Sequence, residues 1–239
     1  MQYKYEVESK NYADFASGRV IYNQKGATAF PVRLGSEIFL RSKNYLDKKI
    51  DKKSISIYDP CCGGGYLLTI LGFLHGKYIS KIIASDIDEE MVNLAKRNIF
   101  LLTSEGINKR IKEIKEYIEK YNKESHKKAL NSALKLKYIQ KNMSDNIKFN
   151  CFKANALKIY NYNFKVDLVL SDLPYGNITE WSQKNNSTKI FLNNLLNVLN
   201  QKSIVTIITA KKQKINHRKY NRIKHFTIGK RRISFLEKL

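Results

Sequence analysis

The chain has 239 residues, a length at which one domain can bury a substantial hydrophobic core. Lys and Arg number 44 against 21 Asp and Glu, and the net charge of +23 exceeds what solubility requires and favours a polyanionic partner such as RNA. No run approaches the roughly 20 apolar residues of a membrane span, and residues 1–10 are too polar for a signal peptide. We therefore expect a cytoplasmic protein with no membrane partner.

The three cysteines lack the spacing of a metal site. Cys61 and Cys62 are adjacent in the sequence, and Cys151 is remote from both. We expect all three to be reduced thiols and predict no resident metal. The four histidines are scattered, and none of them indicates catalysis.

Residues 1–50 precede the first predicted strand and form an N-terminal extension of a single domain that spans residues 1–239. Pro31 is suited to the first position of a helix, because its fixed φ is favourable there and its missing N–H is not needed. We predict a helix from Pro31 through Arg41.

A strand, a glycine-rich loop and a helix follow this extension. Residues 54–58 are predicted to form a short strand, and the loop at 59–65 ends in three consecutive glycines before an apolar helix at 66–75. Glycines at such a junction let the backbone approach a ligand and leave helix N–H groups facing it. Gly76 is predicted to end the helix in the C′ position.

The next predicted strand, at residues 80–85, ends beside Asp86. Asp86 lies 21 residues after Gly65, near the spacing at which an acidic residue accepts hydrogen bonds from ribose in nucleotide-binding βαβ units. A dinucleotide fingerprint that includes Gly63 and Gly65 would need glycine at position 68, where this chain has Leu68. We therefore expect a nucleoside ligand without phosphates.

Residues 104–146 interrupt the alternation of strands and helices. Apolar residues at helical spacing form two segments around residues 121–126, which predicts an inserted helical hairpin. The insertion carries 11 Lys and Arg residues against six acidic ones. It could therefore be an arm that binds RNA, although charged outer faces are usual for any exposed hairpin.

Two further strands are predicted at residues 147–152 and 165–171, and the second is followed by Asp172-Leu173-Pro174-Tyr175. Alone, this tetrapeptide could form an ordinary tight turn. At the end of a buried strand it brings together a carboxylate, a carbonyl in a loop fixed by proline, and an aromatic ring. These groups are suited to hold a flat base by its exocyclic amine, which indicates chemistry on a nucleobase nitrogen.

The C-terminal region is predicted to contain a strand at residues 203–209 and a closing antiparallel pair at 223–228 and 232–236. The wider segment 211–239 contains 11 Lys and Arg residues and one Glu, a net charge of +10. Cationic side chains of this density are expected to follow an RNA backbone.

Three aromatic residues, Tyr220, His225 and Phe226, are interspersed among these cations. Their rings could stack on unpaired bases, although Phe226 could instead pack within a terminal strand. We expect the C-terminal segment to contact RNA.

The motifs at residues 59–65, at Asp86 and at 172–176 together resemble those of class I S-adenosylmethionine-dependent methyltransferases. The sequences Phe30-Pro31-Val32-Arg33-Leu34 and Asp172-Leu173-Pro174-Tyr175-Gly176 are more specific and resemble the AviRa-like guanine methyltransferases of large-subunit ribosomal RNA, which confer avilamycin resistance. The resemblance covers nearly the whole chain. It implies a doubly wound, Rossmann-like α/β fold with a mostly parallel sheet, S-adenosyl-L-methionine as cofactor, and a monomer that acts on ribosomal RNA.

The resemblance also implies roles for individual residues. The catalytic candidates are Asp172, Leu173, Pro174 and Tyr175, and the cofactor-binding candidates are Asp59, Pro60, Cys61, Gly63, Gly65, Asp86, Asn155 and Arg33. Phe30 joins Arg33 because an N-terminal helix often closes over the cofactor in methyltransferases. Asn155 departs from the family pattern, which usually has an aspartate that accepts the adenine amino group; an amide oxygen can accept the same bond without charge assistance.

We therefore expect methyl transfer to a guanine, with the exocyclic amine favoured and N1 left open. Asp172 and the Leu173 carbonyl would accept hydrogen bonds from the amine, while Tyr175 would stack on the base. Two alternatives remain. The same amine chemistry would serve adenine N6 in RNA or DNA, and a basic RNA-binding protein could retain the fold without transferring methyl groups.

Overall fold

The computed structural model describes residues 3–27, 29–143, 147–174 and 186–239. A seven-stranded sheet forms its centre. Its strands are β1 (Ile55–Asp59), β2 (Ile79–Asp86), β3 (Lys148–Lys153), β4 (Val166–Asp172), β5 (Leu199–Ala210), β6 (Tyr220–Ile228) and β7 (Arg231–Lys238). The order across the sheet is β3-β2-β1-β4-β5-β7-β6, and β7 runs antiparallel to both of its neighbours while the other pairs are parallel.

Six α-helices lie in the described ranges: α1 (Val32–Asp47), α2 (Tyr66–His75), α3 (Glu89–Phe100), α4 (Ser104–Tyr121), α5 (Glu124–Lys141) and α6 (Ser187–Leu195). Side-chain caps begin two of them. Asp88 accepts a hydrogen bond from the Glu90 N–H before α3, and Thr103 accepts one from the Gly106 N–H before α4. Among the described helices, none has the length and apolar character needed to cross a membrane.

Alternate side chains of the central strands enter two hydrophobic clusters, one on each face of the sheet. In β1, for example, Ile57 belongs to the larger cluster and Tyr58 to the smaller one. Apolar residues of α1 to α5 complete the larger cluster, whereas Phe191 and Leu192 of α6 contribute to the smaller one. Helices cover both faces, and the predicted doubly wound α/β fold is confirmed. The strand order changes direction between β1 and β4, where a ligand crevice is expected.

Helix α1 is longer than predicted. Pro31 precedes its first residue instead of occupying it, and the helix continues beyond Arg41 to Asp47. Leu46 is fully buried, and the ring of Tyr45 packs against Phe235 of β7 with 5.2 Å between centroids. These tertiary contacts stabilise the last turn, and the local sequence does not reveal them.

Gly76 occupies the C-cap position of α2 instead of the predicted C′ position, and its backbone is not left-handed. Its φ is −52° and its ψ is −32°, and the chain continues through a short 3-10 turn, Gly76–Tyr78. A Cβ atom at this position would lie 2.4 Å from the Cε atom of Met143. A larger residue at position 76 would require the Met143 side chain to shift, so the limited space there, and not a positive φ, favours glycine.

Two strands begin several residues earlier than predicted, and in each of them exposed polar residues follow a single buried first residue. In β5, residues 200–202 are partly or fully exposed before the buried stretch begins at Ser203. β6 begins at Tyr220, and its next two residues, Asn221 and Arg222, are also exposed. Polar outer positions carry no hydrophobic signal for a strand.

Of the three rings in the C-terminal segment, that of Tyr220 differs from the prediction, and Phe226 follows the alternative of packing within a terminal strand. Tyr220 is 7% exposed, and its hydroxyl donates to the Leu192 carbonyl at 2.8 Å, so its ring is not available for stacking on RNA. Phe226 packs against Phe235, with 5.9 Å between ring centroids. Of the three aromatic side chains, only His225 is exposed.

Helices α4 and α5 occupy most of the interval 104–146, and residues 144–146 lie outside the described ranges. Asn122 turns the chain between the two helices with a φ of 43°. The N-terminal extension packs against them: the Arg110 guanidinium donates to the Val20 carbonyl at 2.9 Å, and Ser132 donates to the Asp14 carboxylate at 2.6 Å.

Candidate active site

A cavity of about 910 Å³ opens at the carboxyl ends of the parallel strands. The loops after β1, β2, β3 and β4 form its walls, together with part of the N-terminal extension. The lining residues are 25–27, 30, 59–64, 66–67, 86–88, 90–91, 154–157 and 172–174. This volume is typical of a site that holds a small molecule almost completely.

The glycine loop holds one wall of the cavity in a fixed position. Gly63 has a φ of 51°, and its N–H donates to the Asp86 carboxylate at 2.8 Å. A Cβ atom at Gly63 would meet no atom within 4 Å, so this position faces open space. Gly65 has a φ of 70°, and a Cβ atom there would lie 2.9 Å from the Ala95 Cα atom of α3. Gly63 therefore leaves room in the cavity, whereas Gly65 lets α3 approach the loop.

Asp86 is held by two backbone groups. One carboxylate oxygen accepts from Gly63, and the other accepts from the Asp88 N–H at 3.1 Å. Ile87, between the two aspartates, is 54% exposed and lines the cavity. A fixed carboxylate thus stands beside an apolar side chain, an arrangement that can bind a ribose and an adjoining base.

Asp59 lies at the end of β1 and is 2% exposed. Burial raises the pKa of its carboxyl to about 7, although hydrogen bonds from the Ser171 hydroxyl at 2.6 Å and the Cys61 N–H at 3.0 Å oppose this shift. Asp59 therefore changes charge near neutral pH, and a cationic ligand group beside it would favour the ionised form.

Asn155 follows β3 and lines the cavity. Its side-chain oxygen accepts from the Leu157 N–H at 2.9 Å, and its own N–H donates to the Tyr160 hydroxyl at 3.1 Å. The amide oxygen already has one donor, and Ala156 and Leu157 place apolar groups beside it. The loop after β3 therefore contributes a mostly apolar wall.

Asp172 ends β4, and one of its carboxylate oxygens is buried without a hydrogen-bond partner in the described chain. Burial raises the pKa of Asp172 to about 6, and the positive charge of Arg231 opposes that shift. The Nε atom of Arg231 is likewise buried and unpartnered among the described residues, and its guanidinium lies 5.0 Å from the ring centroid of Phe30. A hydrogen-bond acceptor and a donor are thus both unsatisfied beside the cavity.

Leu173 and Pro174 continue the wall after Asp172. Leu173 is 1% exposed, and its N–H donates to the Ile208 carbonyl of β5 at 3.0 Å, which fixes the loop to the sheet. Tyr175, for which base stacking was predicted, lies outside the described residues, as does the rest of the segment 175–185.

Most of the predicted site residues meet in this cavity: Asp59, Pro60, Cys61, Gly63, Asp86, Asn155, Asp172, Leu173 and Pro174. Gly65 and Arg33 are not among the lining residues. Arg33 donates instead to the Glu6 carbonyl at 3.0 and 2.9 Å and to the Val7 carbonyl at 2.7 Å. In this structure Arg33 holds the N-terminal extension in place.

Arg231, Ile87 and Leu157 were not predicted from the sequence. Arg231 is not a lining residue, but it lies beside the cavity against Phe30 because β7 pairs with β5, a long-range contact for which the sequence offers no signal. Ile87 and Leu157 lie in the same short loops as Asp86 and Asn155. Their closeness in sequence to these predicted site residues could have identified them. The three cysteines are free, and no cluster of potential metal ligands occurs within the described ranges.

Comparison with known proteins gives a consistent result. A family model described as the rRNA methyltransferase AviRa matches residues 1–231. A 23S rRNA (guanine(2535)-N(1))-methyltransferase from Streptomyces viridochromogenes is 36% identical over 186 residues, which are 75% of this chain and 72% of that protein.

Solved structures agree with the sequence comparisons. Two structures of the rRNA methyltransferase AviRa from Streptomyces viridochromogenes are 30% identical, with a TM-score of 0.88, and the match covers 100% or 99% of this chain and 96% of theirs. TrmN from Thermus thermophilus is 16% identical, with a TM-score of 0.57 over 93% of this chain and 52% of its own, and shows the shared fold alone. This chain belongs to the AviRa family of rRNA methyltransferases.

Proposed function

We propose that this protein transfers a methyl group from S-adenosylmethionine to N1 of a guanine in 23S rRNA. The observation that carries the proposal is that Asp172, which has one buried carboxylate oxygen without a partner in the described chain, lines the same cavity as the glycine loop and Asp86. The cavity can therefore receive a nucleoside at β1 and β2 and an acceptor base at β4. Membership of an rRNA methyltransferase family supports the same combination of a nucleoside cofactor and an acceptor base.

The residues present fit the cofactor. Asp86 is fixed by two N–H groups and retains lone pairs for ribose hydroxyls, and the open space at Gly63 leaves room for the ligand. Ile87 and Leu157 supply apolar surface for an adenine ring, and Asp59 supplies a carboxylate for an ammonium group. When bound, S-adenosylmethionine would supply an electrophilic methyl group.

Asp172 and Arg231 fit the Watson–Crick edge of guanine. That edge presents two donors, N1–H and the exocyclic amine, beside the O6 acceptor. An ionised carboxylate can accept from both donors, and a guanidinium can donate to O6. The buried atoms of Asp172 and Arg231 that lack partners would then be satisfied by substrate.

Methylation of N1 requires that its proton be removed. With a pKa of about 6, the Asp172 carboxyl is mostly ionised at neutral pH and still a better base than an ordinary aspartate. The N1 proton would pass to Asp172 and then to water, while donation from Arg231 would stabilise the negative charge that develops on O6.

The choice of N1 replaces the exocyclic amine that the sequence favoured. Asp172 would contact either nitrogen, so the geometry alone does not select between them. The similar Streptomyces protein is named for guanine N1, and this supports the ring nitrogen. We further propose that the enzyme acts as a cytoplasmic monomer and that the methyl group confers resistance to an antibiotic that binds the large ribosomal subunit.

The test is methyl transfer to 23S rRNA by wild-type protein and by Asp172→Asn, which keeps the size of the side chain and removes its charge. Loss of a general base should lower kcat by about 10²- to 10⁴-fold. Cofactor affinity, measured by calorimetry, should change by less than about twofold, since Asp86 is intact. Mass mapping of nuclease fragments should locate the methyl group on guanine N1. Label on adenine, or equal rates for the two proteins, would contradict the proposal.

A further inference from the structure

The hairpin of α4 and α5 extends beyond the protein body. The last buried residue of α4 is Ile114, and the first of α5 is Ala129. Seven residues of α4 follow Ile114, which corresponds to a helical length of about 10 Å. Residues 119–125 are all exposed. The end of the hairpin is therefore an arm with little contact to the core.

Three rings meet at this exposed end: Tyr117, Tyr121 and His126, here called the tip cluster. The two tyrosine centroids are 6.4 Å apart, and the His126 ring lies 5.7 Å from Tyr117 and 5.9 Å from Tyr121. A ring nitrogen of His126 lies 3.1 Å from the Tyr117 carbonyl oxygen, which fixes the imidazole. Even so, Tyr117 is 43% exposed and Tyr121 is 50% exposed. The tip cluster thus presents ordered aromatic faces to solvent.

Lysines surround the tip cluster. The ammonium groups of Lys120 and Lys123 lie 5.2 and 5.9 Å from the ring centroid of Tyr121. Residues 115–128 contain five lysines and three glutamates, and one lysine is paired with Glu124 at 4.0 Å. The local charge is positive, so the rings stand in a field that attracts phosphate groups.

We propose that the tip cluster binds an unpaired nucleotide of the RNA substrate, at a site separate from the methylation cavity. A base would stack on the exposed tyrosine faces while the lysines neutralise the adjoining phosphates, because single-stranded nucleic acid is bound by this combination of groups. A protein partner would need a broader apolar patch than three rings bordered by ammonium groups. This inference rests on the proposed function for the identity of the RNA.

A matched set of tyrosine variants tests the proposal. Tyr121→Ala should weaken binding to a 23S rRNA fragment by about 5- to 150-fold, since removal of a stacked aromatic side chain has effects of this size. Tyr121→Phe should bind almost normally, because the ring is retained. Tyr138→Ala is the control and should bind RNA like wild type. Tyr138 is 71% exposed and lies on the same hairpin but outside the tip cluster. All variants should keep the wild-type melting temperature and cofactor affinity.

Steady-state kinetics on the same RNA give a second readout. Tyr121→Ala should raise KM for RNA and leave kcat close to wild type, because the chemistry occurs elsewhere. Equal binding by Tyr121→Ala and Tyr138→Ala would overturn the inference. An effect on intact ribosomal subunits but not on protein-free RNA would assign the tip cluster to a ribosomal protein and would also overturn it. If wild type binds RNA through Tyr121 but transfers no methyl group, the proposed function fails and the RNA contact stands.

Discussion

Asp172 and Arg231 lie on strands separated by β5, and each has a buried polar atom without a hydrogen-bond partner in the described chain. Burial raises the pKa of the Asp172 carboxyl to about 6, and the charge of Arg231 counteracts part of that rise. Buried polar atoms without partners destabilise a folded protein. A site in which an acceptor and a donor are both unsatisfied is therefore prepared for a ligand with the complementary pair.

The first prediction concerns the acid limb of the pH profile. If ionised Asp172 is required, kcat/KM for RNA should fall as pH decreases through about 6. Arg231→Gln removes the charge that lowers the pKa of Asp172, so its acid limb should move to higher pH, and its kcat/KM should decrease at every pH because O6 loses a donor.

The control is Arg232→Gln, the next residue along β7, whose side chain donates to the Lys211 carbonyl at 3.2 Å. Its acid limb should match that of wild type. Asp59 also titrates nearby, with a pKa raised by burial to about 7, and the largest other effects on that pKa come from Ser171, Cys61, Asp86 and Asp172. An acid limb that is unchanged in Arg231→Gln would show that Asp172 does not control it.

The second prediction concerns cofactor affinity. Asp86→Ala removes a charged acceptor and also frees the N–H groups of Gly63 and Asp88. The loss should be about 1.5–3 kcal/mol, or roughly 10- to 150-fold in the Kd for S-adenosylmethionine. Asp86→Asn keeps an acceptor for one N–H group and should lose less. Calorimetry provides the measurement, and unchanged affinity in Asp86→Ala would place the cofactor elsewhere.

The third prediction distinguishes the roles of Gly63 and Gly65 in stability and cofactor binding. Gly65→Ala combines a left-handed φ with a contact of 2.9 Å to the Ala95 backbone, so it should lower the free energy of unfolding by at least about 1–3 kcal/mol. Gly63→Ala has a similar φ but meets no atom within 4 Å. It should cost only about 1 kcal/mol in stability and should instead weaken cofactor binding, because its methyl group enters the cavity. Urea denaturation and calorimetry on both variants provide the comparison, and equal stability losses would contradict it.

The sequence predicted those parts of the site that follow directly from a strand. Asp86 and Asp172 each end a buried run, and parallel strands bring such ends to one edge of the sheet. Arg231 could not be found in this way, because its position depends on the antiparallel return of β7 beside β5. The role of Arg33 was obscured for a similar reason, since its partners belong to the N-terminal extension.

The surroundings of the aromatic residues also could not be predicted from the sequence. Tyr220 stands among lysines and arginines in the sequence, yet the fold directs its hydroxyl to a carbonyl of α6. Tyr117 and Tyr121 have the spacing of one helical face and resemble ordinary core residues. Only the position at which the hairpin leaves the core shows that their rings face solvent. Sequence proximity to cations therefore did not identify the exposed aromatic surface.

The last prediction concerns the side of the molecule that faces RNA. Lys211, Lys212 and Lys214 are exposed and follow the carboxyl end of β5, at the edge of the sheet where the cavity opens. Neutralising all three with glutamine should reduce the slope of log affinity against log salt by about 0.7–0.9 for each phosphate that no longer has a lysine partner.

The control replaces Lys48, Lys53 and Lys202 with glutamine. These lysines are also exposed but lie near the opposite edge, around the starts of β1 and β5. The control should retain most of the wild-type slope because its lysines lie away from the edge of the sheet at which the cavity opens. Equal slopes in the two triple variants, both folded by circular dichroism, would remove the C-terminal segment from the RNA-binding surface and leave the α4–α5 hairpin as its main basic element.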